Sequence, residues 1–297
     1  MNYAVTDIGS NTVKCEVFSY TDGKLLSIDF SSEQLGLISR IKSGVLPYED
    51  ISLLCETVSK YKALAEKHNA KLYCFATESL RRVSNFDEVK KAVSNRLGLE
   101  IDLISGKDEA ILSFEGFQAQ SPEIECGIMA DMGGGSTEIL KFDNGRPIRS
   151  NSFRFGCLSL RSEYVKARFP TEDEKQWIIN RVHNELNIHS WIGKSNRLCL
   201  IGGTGSAVAK MAIELGFTDI PEFKKETFFE LFDYFNDINN EKTELLEKHI
   251  PARVETILPG MCAYKEIIDH IGAETVYISS GGIRGGYIYR MINEENE

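Results

Sequence analysis

The feature that most constrains the fold of this chain is the stretch Asp131 to Glu138, which reads DMGGGSTE and follows the apolar run Cys126 to Ala130. An apolar run that stops at an acid, with three glycines and two hydroxyl residues after it, predicts a buried strand that ends in a tight turn. Glycine lets the backbone approach an anion closely, and successive N–H groups can form an anion-binding concavity. The stretch therefore predicts a phosphate-binding turn, and a glycine-rich hairpin with solvated acids is the alternative.

The two acids of this stretch also suggest a metal site. Asp131 and Glu138 are seven residues apart across the turn, and both face a ligand if the chain doubles back. Hard oxygen ligands of this kind suit Mg²⁺, which usually takes one or two carboxylates beside water and phosphate.

A shorter version of the same turn lies 124 residues earlier in the chain. Tyr3 to Ile8 is an apolar run that ends in DIGSNT, residues 7 to 12, and a strand-like pattern resumes at Val13. Two strand, turn, strand units predict two similar half-molecules, each directing one turn into a shared cleft. A chance match between two six-residue turns is the alternative.

Length and composition favour a two-domain α/β protein. A chain of 297 residues with 42% apolar residues can fill a core for each of two domains. We expect an N-terminal domain over residues 1–120 and a C-terminal domain over 121–283, with the last helix, about 284–297, packing back on the first domain. The formal net charge of −10 argues against nucleic-acid binding but leaves room for an anion held locally by arginine, backbone N–H groups and metal.

The seven cysteines are scattered and form no CxxC pair, which predicts buried thiols in a reducing compartment. The N-terminus has no basic segment followed by a long apolar core, and no run approaches the length of a membrane span. We therefore expect a cytoplasmic protein without a membrane partner.

Other segments alternate between strand-like and helical patterns. Strands are predicted at 25–31, 71–76, 101–104, 139–142, 147–155, 198–201 and 276–279. Helices are predicted at 47–68, 85–97, 157–167, 171–188, 222–235, 242–249 and 253–271, with further helices after residues 105 and 202 and a last one to about 292.

Two of these strand ends carry residues suited to chemistry. The strand 71–76 runs into Thr77 and the pair Arg81 and Arg82, where open α/β sheets bind ligands; a helix start with solvated arginines is the alternative. At Ser105 a helix begins with Asp108 and Glu109 in its first turn, which the helix dipole alone would favour. Because adjacent helical residues point about 100° apart, only one of the two acids is expected to serve as a general base for water.

As an ordered set, these motifs resemble the exopolyphosphatase and guanosine pentaphosphate phosphohydrolase family, within the actin-like, sugar kinase and heat-shock ATPase fold. The matching stretches span nearly the whole chain: DIGSNT (7–12), ATESLRR with Asn85, SGKDEA (105–110), DMGGGSTE (131–138), GGT (202–204), Arg253 ahead of Gly260, and SGGIRGG (280–286). The resemblance implies an α/β fold of two ribonuclease H-like, actin-like domains with a central cleft.

The family's functional residues carry over by position. Glu109 matches the catalytic base, Arg81 matches a catalytic arginine, and Asp131 and Glu138 match the ligands of Mg²⁺, or of Mn²⁺ in its place. The phosphate-binding positions implied by the resemblance are Asp7, Ser10, Asn11, Gly133, Gly134, Gly135, Ser136, Thr204, Arg253 and Arg284.

Family members remove terminal phosphate from polyphosphate or convert guanosine pentaphosphate to tetraphosphate, so the resemblance implies a hydrolase of phosphoanhydride bonds. It also suggests a homodimer. Gln34 stands where the family commonly has arginine, Asp108 replaces a first Glu, and Glu255 and Gly285 replace a frequent Asp and Glu. Since the chain ends at 297 without the helical domains of longer members, we expect short-chain polyphosphate or a nucleotide as substrate.

Two alternatives to polyphosphate hydrolysis remain open beside the guanosine pentaphosphate reaction. The stretch GGTGSA, residues 202–207, resembles the adenosine-contacting turn of kinases and ATPases with this fold. The neutral Gln34 and the acidic charge leave room for a weakly catalytic sensor that binds guanosine tetraphosphate or polyphosphate.

Overall fold

The computed structural model describes residues 1–220 and 222–296, which divide into two compact units. The first unit comprises Met1–Ala119 together with Ile283–Glu297, and the second comprises Gln120–Gly282. Elements are numbered below in chain order.

The first unit is a five-stranded mixed sheet with helices. Its strands are β1 (Asn2–Ile8), β2 (Thr12–Thr21), β3 (Lys24–Gln34), β4 (Ala70–Ala76) and β5 (Asp102–Leu103). Its helices are α1 (Leu37–Arg40), α2 (Tyr48–Lys67), α3 (Glu78–Arg81), α4 (Phe86–Leu97), α5 (Gly106–Gln120) and, from the end of the chain, α12 (Ile283–Asn296). The strand order is β3-β2-β1-β4-β5, antiparallel from β3 to β1 and parallel from β1 to β5.

The second unit repeats this arrangement with one more strand. Its strands are β6 (Gly127–Met132), β7 (Thr137–Asp143), β8 (Arg146–Phe153), β9 (Arg197–Ile201), β10 (Glu222–Lys224) and β11 (Thr275–Ile278). Its helices are α6 (Cys157–Tyr164), α7 (Glu172–Asn187), α8 (Gly202–Glu214), α9 (Lys225–Tyr234), α10 (Asn240–His249) and α11 (Ile257–Ile271), with a 3₁₀ turn at Pro251–Arg253. The order β8-β7-β6-β9-β11 matches that of the first sheet, and β10 adds antiparallel to β11.

The first hairpin of each unit has the same register, offset by 124 residues. Ile8 pairs with Val13 across the first turn, as Met132 pairs with Thr137 across the second. The turn bond is also the same, because Gly9 N donates to Thr12 O at 3.2 Å and Gly133 N donates to Ser136 O at 2.9 Å. The similarity of DIGSNT to DMGGGST therefore extends to backbone pairing, and is not a chance match of letters.

Two predicted elements differ from the observed ones. Residues 222–224, predicted as the start of a helix, form β10, because Glu222 and Lys224 pair with Tyr277 and Thr275 on β11. The long helix predicted from 253 begins at Ile257, because the chain first makes the 3₁₀ turn that contains Arg253.

Each unit has its own apolar core. In the first, Tyr287, Ile288 and Ile292 of α12 pack with Tyr3 and Val5 of β1. In the second, α7 and α11 contribute many of the buried residues around the central strands. All seven cysteines are free thiols and all but Cys126 are buried, and burial raises the pKa of the Cys15 and Cys262 thiols to about 12.

Among residues 1–220 and 222–296, no helix is both long enough and apolar enough to cross a membrane.

Candidate active site

The glycine turn of the second unit is fixed by the start of α6. Cys157 N donates to Gly133 O at 3.1 Å, and Leu158 N and Ser159 N donate to Gly134 O at 3.0 and 2.9 Å. Because the C=O and N–H of a trans peptide point in opposite directions, the N–H groups of Gly134 and Gly135 point away from α6. Backbone donors directed to one side in this way form the concavity that binds a phosphate oxygen.

Asp131 and Glu138 are direct cross-strand partners at the base of this turn. Partners in an antiparallel pair project from the same face of the sheet with their Cβ atoms about 5 Å apart. Glu138 is 1% exposed, and Ser152 Oγ on β8 donates to its Oε1 at 2.6 Å. Both predicted metal ligands therefore lie on one face, and a side chain of the next strand orients the second of them.

The first turn of α8, which follows β9 without a loop, lies directly against Asp131. A side chain at Gly202 would overlap Asp131 Oδ1, and the φ of Gly202 is +80°, so both space and backbone conformation require glycine here. This close approach brings the GGT stretch, residues 202–204, beside the carboxylate without any side chain between them.

Thr204, in the first turn of α8, contacts Arg253. Arg253 Nη1 donates to Thr204 Oγ1 at 3.4 Å and to Cys157 Sγ at 3.4 Å. Thr204 is fully buried, and its hydroxyl donates to Met132 O at 3.4 Å. Thr204 therefore packs against the strand that leads into the glycine turn. Its contact with phosphate stays a prediction.

The turn of the first unit is fixed by the segment that leads into α1. Ile38 N donates to Ser10 O at 3.0 Å and Gly36 N donates to Asn11 O at 2.8 Å. Gln34, at the position where the resemblance expects arginine, donates from Nε2 to Asn11 Oδ1 at 3.4 Å. The predicted phosphate contacts Ser10 and Asn11 are therefore adjacent to this neutral amide.

The first hairpin differs from the second at the position across from its acid. Asp7 pairs with Lys14, where Asp131 pairs with Glu138. Arg284 from α12 adds a second cation, with Nε 2.6 Å from Glu16 Oε2 and Nη1 3.5 Å from Asp7 Oδ2. Although burial disfavours its charge, these two carboxylates raise the pKa of Arg284 above its usual value. The second hairpin thus has two carboxylates in one cross-strand pair, where the first hairpin has a carboxylate and a lysine.

Arg81 and Glu109 form an ion pair in the first unit. Arg81 Nη1 donates to Glu109 Oε2 at 2.7 Å, and the two side chains are 18% and 13% exposed. The same nitrogen donates to Ile104 O at 2.7 Å, while Nη2 donates to Glu78 Oε2 at 2.9 Å. Burial disfavours the charge of Arg81, but Glu109 and Glu78 raise its pKa above the usual value. Arg81 therefore stays a cation that positions the Glu109 carboxylate.

The two acids at the start of α5 have different partners. Ser105 Oγ accepts from Asp108 N at 3.1 Å, and its hydroxyl donates to Asp108 Oδ2 at 2.7 Å. Asp108 is exposed and belongs to this cap, whereas Glu109 is directed at Arg81.

The predicted residues fall in two groups, one in each unit. Asp7, Ser10, Asn11, Arg81, Glu109 and Arg284 belong to the first unit, and the glycine turn with Asp131, Glu138, Thr204 and Arg253 belongs to the second. The sequence reading did not single out Glu78, which holds Arg81, or Lys14, which faces Asp7. The i, i+3 spacing of Glu78 and Arg81 on a short helix was an available signal for the first.

A family model described as the Ppx/GppA phosphatase family matches residues 31–295. The chain belongs to the Ppx/GppA phosphatase family.

Similar proteins include a curated relative named guanosine-5'-triphosphate,3'-diphosphate pyrophosphatase from Photobacterium profundum, which is 20% identical over 301 residues. The match covers 98% of this chain and 59% of that relative, so this Ppx/GppA family member spans little more than half the length of the relative.

Two solved structures show the fold. A Ppx/GppA family member of Aquifex aeolicus matches with a TM-score of 0.84 at 23% identity, over 100% of this chain and 99% of that one. An exopolyphosphatase from Cytophaga hutchinsonii matches with a TM-score of 0.87 at 18% identity, over 99% and 98% of the two chains. The predicted α/β fold of two actin-like domains is confirmed for this Ppx/GppA family member.

Proposed function

We propose that this protein is a metal-dependent phosphohydrolase that releases terminal orthophosphate from inorganic polyphosphate, with short chains as the preferred substrate. Attack of water in line with the leaving phosphate would require positioning and charge stabilisation more than covalent chemistry. The chain belongs to the Ppx/GppA phosphatase family, and we propose its substrate and its reaction.

The observation that carries the proposal is the carboxylate pair at the glycine turn. Asp131 and Glu138 face the same side of the hairpin, and α6 directs the Gly134 and Gly135 N–H groups away from itself. A turn with backbone donors beside two carboxylates suits a phosphate that arrives with a divalent cation.

The donor set at this pair fits Mg²⁺ or Mn²⁺. Both side chains offer hard carboxylate oxygens, and the Ser152 hydroxyl donates to Glu138 Oε1 and so orients that carboxylate. When bound there, the metal would neutralise non-bridging phosphate oxygens. The Asp131 and Glu138 carboxylates would hold it, and the backbone of 133–136 would bind the phosphate itself.

Glu109 is proposed as the group that orients the attacking water and accepts its proton. Its carboxylate is held by Arg81 on one side, which fixes its direction before any substrate binds. Arg81, kept charged by Glu78 and Glu109, would also stabilise negative charge that develops on the transferred phosphoryl group. Ser10 and Asn11, in the turn of the first unit, stay predicted phosphate contacts.

A second candidate is conversion of guanosine pentaphosphate to tetraphosphate, which the name of the Photobacterium profundum relative favours. A third is a sensor with little turnover, which the neutral Gln34 beside Asn11 favours, because an amide there supplies less charge to a phosphate than arginine would. A kinase of the same fold would transfer phosphate to an acceptor other than water.

The test is phosphate release by the purified protein with Mg²⁺, comparing short polyphosphate, long polyphosphate, guanosine pentaphosphate and ATP. The Glu109→Gln variant is the inactive control, and Asp108→Asn is its matched neighbour, since Asp108 belongs to the Ser105 cap. We expect release from short polyphosphate that falls by about 10²–10⁴ in Glu109→Gln and stays near wild type in Asp108→Asn.

Each other outcome selects a different reading. Release only from guanosine pentaphosphate would replace the substrate and keep the mechanism. Tight binding of polyphosphate without release would favour the sensor, and phosphate transfer to an added acceptor would favour the kinase. Unchanged release by Glu109→Gln would remove Glu109 from the role of base.

Cytoplasmic location and a homodimer stay predictions of the sequence. The buried free thiols suit a reducing compartment, and sedimentation of the purified protein would measure its oligomeric state.

A further inference from the structure

Three side chains on the second unit form a cluster apart from the residues discussed so far. His183 lies on α7, and Glu266 and His270 lie one turn apart on α11. Their three ligand atoms all lie within 4.8 Å of one another, and His183 Nδ1 is 2.7 Å from Glu266 Oε1. Ligand atoms of one tetrahedral zinc ion lie about 3.3 Å apart, so only small side-chain rotations would bring this set around an ion.

The two helices hold the cluster on a fixed base. Val182 and Ile267, each next to a cluster residue, are fully buried in the core that α7 shares with α11. The Glu266 side chain is 10% exposed, whereas the His183 side chain is 52% exposed. An ion at this position would therefore have a preformed carboxylate beneath it and an accessible face above it.

The electrostatics of the cluster also suit a cation. His270 lies in the last turn of α11, where the carbonyl end of the helix dipole attracts positive charge. Lys194 is the nearby opposing charge, and its ammonium group donates to the backbone carbonyl of His270 at 2.9 Å.

Two other histidines each pair with a single carboxylate and serve as a comparison for the cluster. His249 Nδ1 lies 3.4 Å from Glu214 Oε2, and His68 Nε2 lies 2.6 Å from Asp29 Oδ2. Within residues 1–220 and 222–296, His183, Glu266 and His270 are the one group of three such ligands this close together. The third ligand is what separates this cluster from a simple ion pair.

We propose that His183, Glu266 and His270 form a second metal site, which binds Zn²⁺ or a similar transition metal and cross-links α7 to α11. Two imidazole nitrogens favour Zn²⁺ over Mg²⁺, and zinc sites also accept one carboxylate oxygen. The site leaves a fourth position for water. Its role is to stabilise the second unit, because a ligand that binds only the folded protein shifts the unfolding equilibrium.

The test measures Zn²⁺ binding in the presence of excess Mg²⁺, which occupies carboxylate sites but competes poorly for imidazole. Competition with a chromophoric chelator gives the number of Zn²⁺ ions bound and their Kd. We compare wild type with His183→Gln and His270→Gln, and use His249→Gln as the matched control. Metal-free thermal unfolding shows whether each variant is folded.

We expect wild type and His249→Gln to bind one Zn²⁺ that each cluster variant binds at least about a hundredfold more weakly. Replacing Zn²⁺ with Co²⁺ should give visible absorption bands that the cluster variants lack. Zn²⁺ should also raise the unfolding temperature of wild type and not of the His183→Gln and His270→Gln double variant. Equal Zn²⁺ binding by wild type and that folded double variant would overturn the proposal. Because no substrate takes part, this result is independent of the proposed hydrolysis.

Discussion

Arg81 lies 2.7 Å from Glu109, although the two residues are 28 positions apart in the chain and lie on different helices. The contact depends on β4 and β5, which place α3 and α5 at neighbouring strand ends. Arg81 Nη1 also donates to Ile104 O, and Nη2 donates to Glu78. These hydrogen bonds restrict the movement of its guanidinium group. The direction of the Glu109 carboxylate is therefore set by a side chain that is itself held in place.

A direct consequence concerns the paired arginines. We expect Arg81→Gln to lower kcat for phosphate release by about 10²–10³, since it removes both the positioning of Glu109 and a cation near the phosphate. Arg82 is the matched control, because it is 44% exposed and bonds only to Glu78 among these acids. Steady-state kinetics of both variants check this, and an equal loss in Arg82→Gln would show that the effect is not specific to Arg81.

The carboxylate pair predicts a second effect, on the need for metal. Glu138→Gln keeps an acceptor for the Ser152 hydroxyl but removes the charge, so the Mg²⁺ concentration for half-maximal activity should rise by at least about tenfold. Lys14→Gln changes the corresponding position of the first hairpin and should leave that concentration near wild type. Activity measured over a Mg²⁺ titration tests both, and an unchanged midpoint in Glu138→Gln would exclude it as a ligand.

Neighbouring glycines of α12 predict opposite changes in stability. A side chain at Gly286 would overlap Leu112 O of α5, while one at Gly285 would meet nothing within 4 Å. We expect Gly286→Ala to lower the free energy of unfolding by about 1–3 kcal/mol through strain. Gly285→Ala should raise it by about 0.4–1 kcal/mol, because alanine loses less backbone entropy in a helix. Chemical denaturation measures both, and equal effects would show that α12 does not pack on α5 this closely.

The start of α7 predicts a dependence of stability on pH. Thr171 N and Lys166 N donate to Glu174, and the hydrogen bond from Thr171 is the main cause that lowers the pKa of this carboxyl below its usual 4.5. Because the pKa of this carboxyl is lower in the folded state than in the unfolded state, its ionised form stabilises the folded protein at pH values above the unfolded-state pKa. This stabilisation is lost as the pH falls through the folded-state pKa.

Glu174→Gln should therefore cost about 0.5–2 kcal/mol of unfolding free energy at neutral pH, and the difference from wild type should shrink as the pH falls below 4.5. Asp173→Asn, in the same helical turn, controls for the loss of a charge near the helix dipole. Urea unfolding across this pH range checks the trend, and a difference that grows on acidification would reverse the sign of our argument.

The hairpin turns were predictable because their information is local. An apolar run, an acid and glycines within eight residues specify a strand and a turn, and the copy at DIGSNT specifies its partner unit. The cap at Ser105 and the split between Asp108 and Glu109 follow in the same way from spacing along one helix.

Other features depend on partners far away in the chain. Residues 222–224 carry a helix-like pattern, and only β11, some fifty residues later, makes them a strand. The same limit applies to Arg81 and Glu109, whose contact is set by the order of β4 and β5. Family resemblance gave each residue a role and did not predict the contact. His183 likewise gave no local signal, although the i, i+4 spacing of Glu266 and His270 was visible.

The position of α12 has a consequence for synthesis of the chain. Tyr287, Ile288 and Ile292 complete the core around β1, yet they leave the ribosome only after every residue of the second unit. The first unit therefore begins to be synthesised before the second unit but can complete its core only after the second unit has been made. Tyr3 and Val5 lack their α12 partners while residues 120–282 are synthesised and can fold. During that interval the nascent N-terminal half is the part of the molecule in need of protection from aggregation.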